Sequence, residues 1–319
     1  MIILFEGKVN RDNFIFLAFR HEERYILGKS SMSLLLRSLI LLITFCTFVH
    51  AQELVVDDRG EALQISQPAR RIVSLTPSVT ETLFAIGAGD QVIGVTDYCN
   101  YPEEAKAKQK VGGVINPNIE AIVALEPDLI VLSMEGNVRE DFTKMKQLHL
   151  PLFATNPRTL PGIHKSLLDL GILTGHKVEA QSVVASMRWQ EDSIVALGKG
   201  WKKKGIILLV SLQPIIVAGG GTFLDHLISL AGGVNLASDA PTSYPALSRE
   251  AIVSYRPEVM IVMSDAIGDL SSFSSMYPEW KYVPAVQNGK VFSIDSDISS
   301  RPGPRAVEAL EKLFSIIHQ

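Results

Sequence analysis

Cysteine is nearly missing from this chain: its 319 residues include two, Cys46 and Cys99. A fold stapled by several disulfides is therefore excluded. Histidine is sparse, and the five beyond residue 51 (His149, His164, His176, His226 and His318) are never three to five residues apart. No helical metal-ligand pair is spelled out, and no protein-built metal site is expected. Neither a Gly-x-Ser-x-Gly nucleophile elbow nor a kinase signature is present, so no catalytic residue is assigned. Gly219-Gly220-Gly221-Thr222 lacks the Gly-Lys-Ser/Thr continuation of a phosphate loop and reads as a tight turn between a strand and a helix. Beyond residue 51 no apolar run approaches the roughly 18 residues of a membrane span.

What is present begins with an export signal. Residues 32–51 carry Arg37, an apolar stretch over 39–48, and Val49-His50-Ala51 as a small-residue cleavage site, the pattern of a secretory signal peptide. Residues 1–31 precede it with mixed charged and polar residues, so they are expected to be a non-native extension, with translation starting at Met32. Phe45 stands before Cys46 where a lipid-attachment motif needs a small residue, which favours a free periplasmic protein. Removing 51 residues leaves 268, with 24 basic and 30 acidic side chains and a net charge of −6. That balance argues against nucleic acid or an anionic membrane as partner and is compatible with docking on a basic protein surface.

One pattern occurs twice. Glu120-Ala121-Ile122-Val123-Ala124-Leu125-Glu126-Pro127-Asp128 and Glu250-Ala251-Ile252-Val253-Ser254-Tyr255-Arg256-Pro257-Glu258 are each followed by a short apolar run, 129–132 and 259–263. Each copy reads as a short helix, stopped by proline, then a buried parallel strand. The duplication implies two similar α/β lobes: 52–159 and 201–319. Between them, 160–200 shows no credible strand. It reads as a helix to about Leu173, a break at Gly175, and a long helix from about Lys177 to Leu197 with Gly198 as its stop. A single helix is a stiff connector, unlike a Gly/Ser linker.

Within the first lobe, strands are expected near 71–75, 92–95 and 151–154, and helices over 79–86 and 138–148. In the second, strands are expected at 206–211, 215–217 and 291–294, with a terminal helix over 305–317. Ligands in open α/β sheets bind beyond the carboxyl ends of strands. On that rule the 96–101 segment faces the segments around Tyr244 and over 297–301 across one cleft. Tyr98 and Tyr244 offer flat faces, and Asp297 and Arg301 offer polar groups for a planar ligand. Equally, Tyr98 and Tyr101 could anchor loops, and Asp297 and Arg301 could pair with each other. Glu120 and Glu250 likewise have two readings. Each follows an N-cap, Asn118 or Ser248, by two residues and complements the helix dipole, or the two form matching acidic posts for a partner with two equivalent basic pockets.

Five stretches carry a family resemblance: Val73-Ser74-Leu75-Thr76-Pro77-Ser78-Val79-Thr80-Glu81, Gly94-Val95-Thr96-Asp97-Tyr98-Cys99-Asn100-Tyr101-Pro102, Asn118 to Leu125, Leu247-Ser248-Arg249-Glu250, and Ser296-Asp297 through Arg301 to Pro304-Arg305. With these the chain resembles the periplasmic cobalamin-binding proteins of bacterial ABC importers and, more widely, the helical-backbone receptors for cobalamin, haem and ferric siderophores. The resemblance implies a class III periplasmic binding fold, two Rossmann-like lobes bridged by one long helix, with small closure on binding. It implies a non-enzymatic receptor that works as a monomer, holds no resident cofactor, and delivers a metal chelate to an ABC permease dimer with its ATPase subunits. Cobalamin or a related corrinoid is the first expectation, ferric siderophore or haem the second; a secreted α/β enzyme is the rival class. Tyr98, Val114, Tyr244, Asp297 and Arg301 match cleft positions, and Glu120 and Glu250 match the carboxylates that engage permease arginines. Val114 stands where the cobalamin binders carry a tryptophan, and their second-lobe disulfide has no counterpart.

Overall fold

The computed structural model describes residues 53–319 except Gly268. The extension expected over 1–31 and the signal peptide expected over 32–51 lie outside the described residues. Among the described residues, no helix is long and apolar enough to cross a membrane.

The first lobe opens with an antiparallel hairpin, β1 (Glu53–Val56) with β2 (Ala62–Ile65). Its turn is tied down by the buried Asp57 carboxylate, which accepts from the amides of Arg59, Glu61 and Ala154 and ion-pairs with Arg59. Five strands follow: β3 (Ile72–Ser74), β4 (Val92–Val95), β5 (Gln109–Lys110), β6 (Leu129–Ser133) and β7 (Leu152–Thr155). They form one parallel sheet in the order β5-β4-β3-β6-β7. Its helices are α1 (Pro77–Ala85), α2 (Ile119–Ala124), α3 (Arg139–Gln147) and α4 (Leu160–Thr174). Gly175 ends α4 in the left-handed conformation at φ 80°, which an L side chain resists.

The long helix α5 (Lys177–Leu197) has the bounds its periodicity gives. Its 21 residues span about 32 Å. Gly198 is the stop expected, capping the helix in a right-handed conformation, and Gly200 follows with positive φ.

The second lobe has β8 (Lys204–Leu212), β9 (Ile215–Val217), α6 (Phe223–Leu230), β10 (Gly233–Asn235), α7 (Arg249–Tyr255), β11 (Val259–Met263), α8 (Phe273–Met276), α9 (Pro284–Gln287), β12 (Val291–Ile294), α10 (Ser296–Ser300) and α11 (Ala306–His318). Its parallel order β10-β8-β11-β12 repeats β4-β3-β6-β7 of the first lobe, with β9 added antiparallel to β8.

The duplicated pattern is a duplicated structure. Asn118 and Ser248 each accept from the amide three residues on, at 3.0 and 3.1 Å. Ile122 and Ile252 are each fully buried, and Glu126 and Arg256 take matching left-handed conformations, φ 46° and 50°, before their prolines. The acidic ninth residues do the same work: Asp128 accepts from the amides of Arg70 and Arg71, and Glu258 from Gly205, where the neighbouring central strand begins. Along β6 and β11, alternate residues face two different cores, as strand geometry requires. Leu129, Val131, Val259, Ile261 and Met263 join a core that runs continuously through both lobes by way of α4, α5 and α11. Ile130 and Leu132 face a first-lobe core; Met260 and Val262 face a second-lobe core with Tyr277 and Trp280.

Candidate functional site

The loop after β4 is pinned from below, and that is what presents Tyr98. Thr80 Oγ1 donates to the buried Cys99 Sγ at 3.1 Å, and Lys110 Nζ donates to the carbonyls of Thr96 and Cys99. With Cys99 drawn inward, Tyr98 points out and is 63% exposed. Its ring lies over the Gly112-Gly113 turn, where a Cβ on Gly113 would come within 3.9 Å of it. Val114 follows this turn, half-buried, at the same rim. Asn137 holds that rim in place: its side chain accepts from the Ser133 amide at 2.8 Å and donates to the carbonyls of Leu75 (3.0 Å) and Val114 (2.8 Å). One amide thus joins the ends of β3 and β6 to the Val114 turn.

Tyr244 comes from the second lobe, on a segment bonded to the end of β9 through Val217 N to Pro245 O and Gly219 N to Ser243 O. It is 45% exposed. Burial raises the pKa of its phenol, the Glu135 carboxylate raises it further, and Arg158 opposes both. Glu135 and Arg158, ion-paired at 2.7 Å, follow β6 and β7 of the first lobe. Tyr244 therefore sits opposite the first lobe's strand ends.

At another part of the boundary, Asp297 and Arg301 pair with each other, four residues apart across the end of α10. The Asn100 amide, from the Tyr98 loop, donates to Asp297 Oδ2 at 2.8 Å and accepts from Arg301 Nη1 at 2.7 Å. Arg301, 9% exposed, also donates to Glu81 Oε1 at 3.0 Å and to the Tyr98 carbonyl at 3.5 Å. Glu81, on α1, is 3% exposed. Its carboxylate also accepts a side-on fork from Arg305, Nε to Oε2 at 2.8 Å and Nη2 to Oε1 at 2.6 Å. That bond raises the already high pKa of Arg305, whose guanidinium lies 4.1 Å from the Tyr101 ring centroid. A cavity of about 600 Å³ adjoins this cluster, lined by Phe84, Tyr101, Arg305 and Glu308 among others and by neither Tyr98 nor Tyr244.

Glu120 and Glu250 are both exposed, each in the first turn of its helix. Its own backbone amide and the Ser248 hydroxyl, with Arg249 adding to them, hold the Glu250 carboxyl below the usual glutamate range. Among the described residues no three of His, Cys, Asp and Glu come together as a metal-holding group.

Glu135 and Arg158 are site residues that reading the sequence did not single out, and Glu81, Asn100 and Arg305 lie in the family-like stretches without a role assigned to any of them. One signal existed for Glu81: no Lys, Arg or His occurs from residue 72 to 105, so a carboxylate amid Val79, Thr80, Thr82 and Leu83 needed a distant cation.

Residues 72–298 match the model of a family described as periplasmic binding protein. The chain belongs to this family. A vitamin B12-binding protein from Vibrio campbellii is 30% identical over 247 residues, covering 77% of this chain and 88% of the relative. One from Yersinia pestis is 29% identical over 248 residues, covering 78% and 86%. Among solved structures, the periplasmic vitamin B12 binding protein of Vibrio cholerae superposes with a TM-score of 0.72 at 28% identity, covering 79% of this chain and 97% of that one. The periplasmic heme-binding protein of Roseiflexus sp. RS-1 gives 0.71 at 25%, covering 78% and 98%. These relatives are binding proteins rather than enzymes, and the class III architecture is theirs as well as this chain's.

Proposed function

We propose that the mature chain, exported by the signal at residues 32–51, captures cobalamin or a related corrinoid in the periplasm and delivers it to an ABC permease dimer with its ATPase subunits. The observation that carries the reading is the pair of tyrosines, Tyr98 and Tyr244, held exposed from opposite lobes at strand ends. A broad planar macrocycle presents enough apolar face for both rings, and its peripheral amides suit Glu135, Arg158 and Asn100. The vitamin B12-binding relatives support this choice of cargo. Tyr98, Val114 and Tyr244 line the cleft in this reading, and Asp297 closes one end. Arg301 differs, because its donors already serve four protein oxygens.

Haem is the second reading, favoured by the same two phenols, since a tyrosine oxygen can ligate haem iron. The ligand is cargo in either case, and the chain itself performs no catalysis. Glu120 and Glu250 are the docking posts, one per lobe, which meet permease arginines while the receptor acts as a monomer.

Two measurements test this. Residues 52–319 are titrated with cyanocobalamin, haemin and ferric siderophores by visible absorption; saturable one-to-one binding of the corrinoid is expected, and binding of haemin alone would move the cargo to the second reading. Glu120→Lys with Glu250→Lys is expected to abolish uptake in cells while affinity stays within about twofold. Normal uptake by that double variant, or loss of its ligand binding, would overturn the docking assignment.

A further inference from the structure

We infer that Glu81 is the positioning residue of the cleft: its buried carboxylate locks the two lobes together and, through Arg301, fixes the loop that presents Tyr98. The inference rests on the proposed cleft for its ligand readout. Glu81 lies in the first lobe, yet its cationic partners come from the second, 220 and 224 residues away in sequence. A carboxylate this deeply buried is stable only with its charge matched, and here two guanidiniums supply three hydrogen bonds to two oxygens. The backbone at the contact is equally close. A Cβ on Gly303, between the two arginines, would sit 3.3 Å from the Ser78 carbonyl oxygen of α1.

The connection to the cleft is a continuous chain of polar contacts. Glu81 orients Arg301; Arg301 holds the Asn100 side chain and the Tyr98 carbonyl; Asn100 in turn bridges to Asp297. Two arginines face Glu81 and Asp297, with Glu308 near Arg305, so removing the Glu81 charge leaves the buried Arg301 with Asp297 as its one carboxylate partner. Arg301 consequently serves the ligand by holding in place the loop that carries Tyr98. This function is separable from general stability because it acts through a single ring that is itself exposed.

The test uses Glu81→Gln, which keeps the shape but turns one acceptor into a donor facing guanidinium donors. Arg305→Gln, at the edge of the cluster, tests the same lock if the first variant does not fold. Spin labels on Lys144→Cys and Lys281→Cys, exposed sites on opposite lobes, report lobe separation without ligand, the native Cys99 being buried. The expected results are a broadened interlobe distance distribution and a Kd for cyanocobalamin raised roughly five- to thirtyfold, no more than Tyr98→Ala itself costs. In a Tyr98→Ala background the same substitution should cost less than twofold. An unchanged distance distribution, or an equal affinity cost in both backgrounds, would overturn the positioning role. If the unmodified protein binds neither cyanocobalamin nor haemin, the cargo reading fails, and the label distances alone decide whether the lock exists.

Discussion

Tyr98→Ala should weaken cargo binding without weakening the fold. An aromatic side chain buries roughly 150–250 Å² when fully covered, and Tyr98 is 63% exposed in the free protein. About 95–160 Å² is therefore available to a ligand, and a macrocycle packed on one ring face covers about half of it. At about 25 cal/mol per Å² this amounts to about 1–2 kcal/mol, a loss of roughly five- to thirtyfold in affinity. Because the ring is largely in solvent, thermal stability should change by less than about 0.5 kcal/mol. Titration calorimetry with cyanocobalamin, alongside thermal melts, checks both numbers. Affinity within twofold of the unmodified protein would refute the ring's role, and an affinity loss matched by a large drop in melting temperature would make it a loop anchor. Tyr98→Phe separates the two cargos further: it keeps the apolar face and should bind a corrinoid normally, whereas a haem held through the phenol oxygen would lose its characteristic absorption band.

Gly220→Ala places a Cβ 2.1 Å from the Ser238 carbonyl oxygen. Backbone must move to admit it, so a loss of about 1–3 kcal/mol is expected by denaturant titration; no loss would show that the glycine run after β9 is a loose turn. His164 is buried with no hydrogen-bond partner for Nε2, and burial, aided by Arg188, lowers its pKa. The unfolded chain therefore binds a proton that the fold resists, and stability falls as pH drops through about 6.5. His164→Leu should raise the melting temperature at pH 5 more than at pH 7, leaving a residual slope from His226, whose pKa burial also lowers against the opposing Asp225. An equal shift at both pH values would sink the assignment. The remaining expectations are those for Glu120 with Glu250 and for Glu81, each stated above with its measurement.

Elements set by local pattern were legible in the chain. The break between α4 and α5 follows from Gly175, and β4, β9 and β12 have the bounds their β-rich runs suggest. The duplicated nine-residue pattern foretold two related lobes, and the structure adds the paired left-handed residues Glu126 and Arg256. Elements defined by their neighbours were not legible. β5 has two residues and β10 three, and each exists because an adjacent strand offers it a ladder. The short helices between 270 and 287 are wrapped around Tyr277 and Trp280, whose rings stack at 4.0 Å. In the site, exposed aromatics at strand ends could be read from position alone. Glu81 could be read only in part: the lack of a nearby cation pointed to a distant partner, but not to the arginines from the far end of the chain that fold against it.

The lengths of α4 and α5 and the core they share with both sheets give this molecule a fixed gauge. Glu120 and Glu250 stand at equivalent helix starts of two lobes that are joined by helix rather than by loop and held together by the Glu81 contacts. The residues proposed to meet cargo lie instead on connections, Tyr98 after β4, Val114 after β5, Glu135 after β6, Arg158 after β7 and Tyr244 after β10. On the proposed assignments, cargo choice can drift by exchange of a few loop side chains, such as tryptophan for Val114, while the proposed docking posts stay unchanged. A receptor built this way acquires a new nutrient without having to reinvent its port of entry.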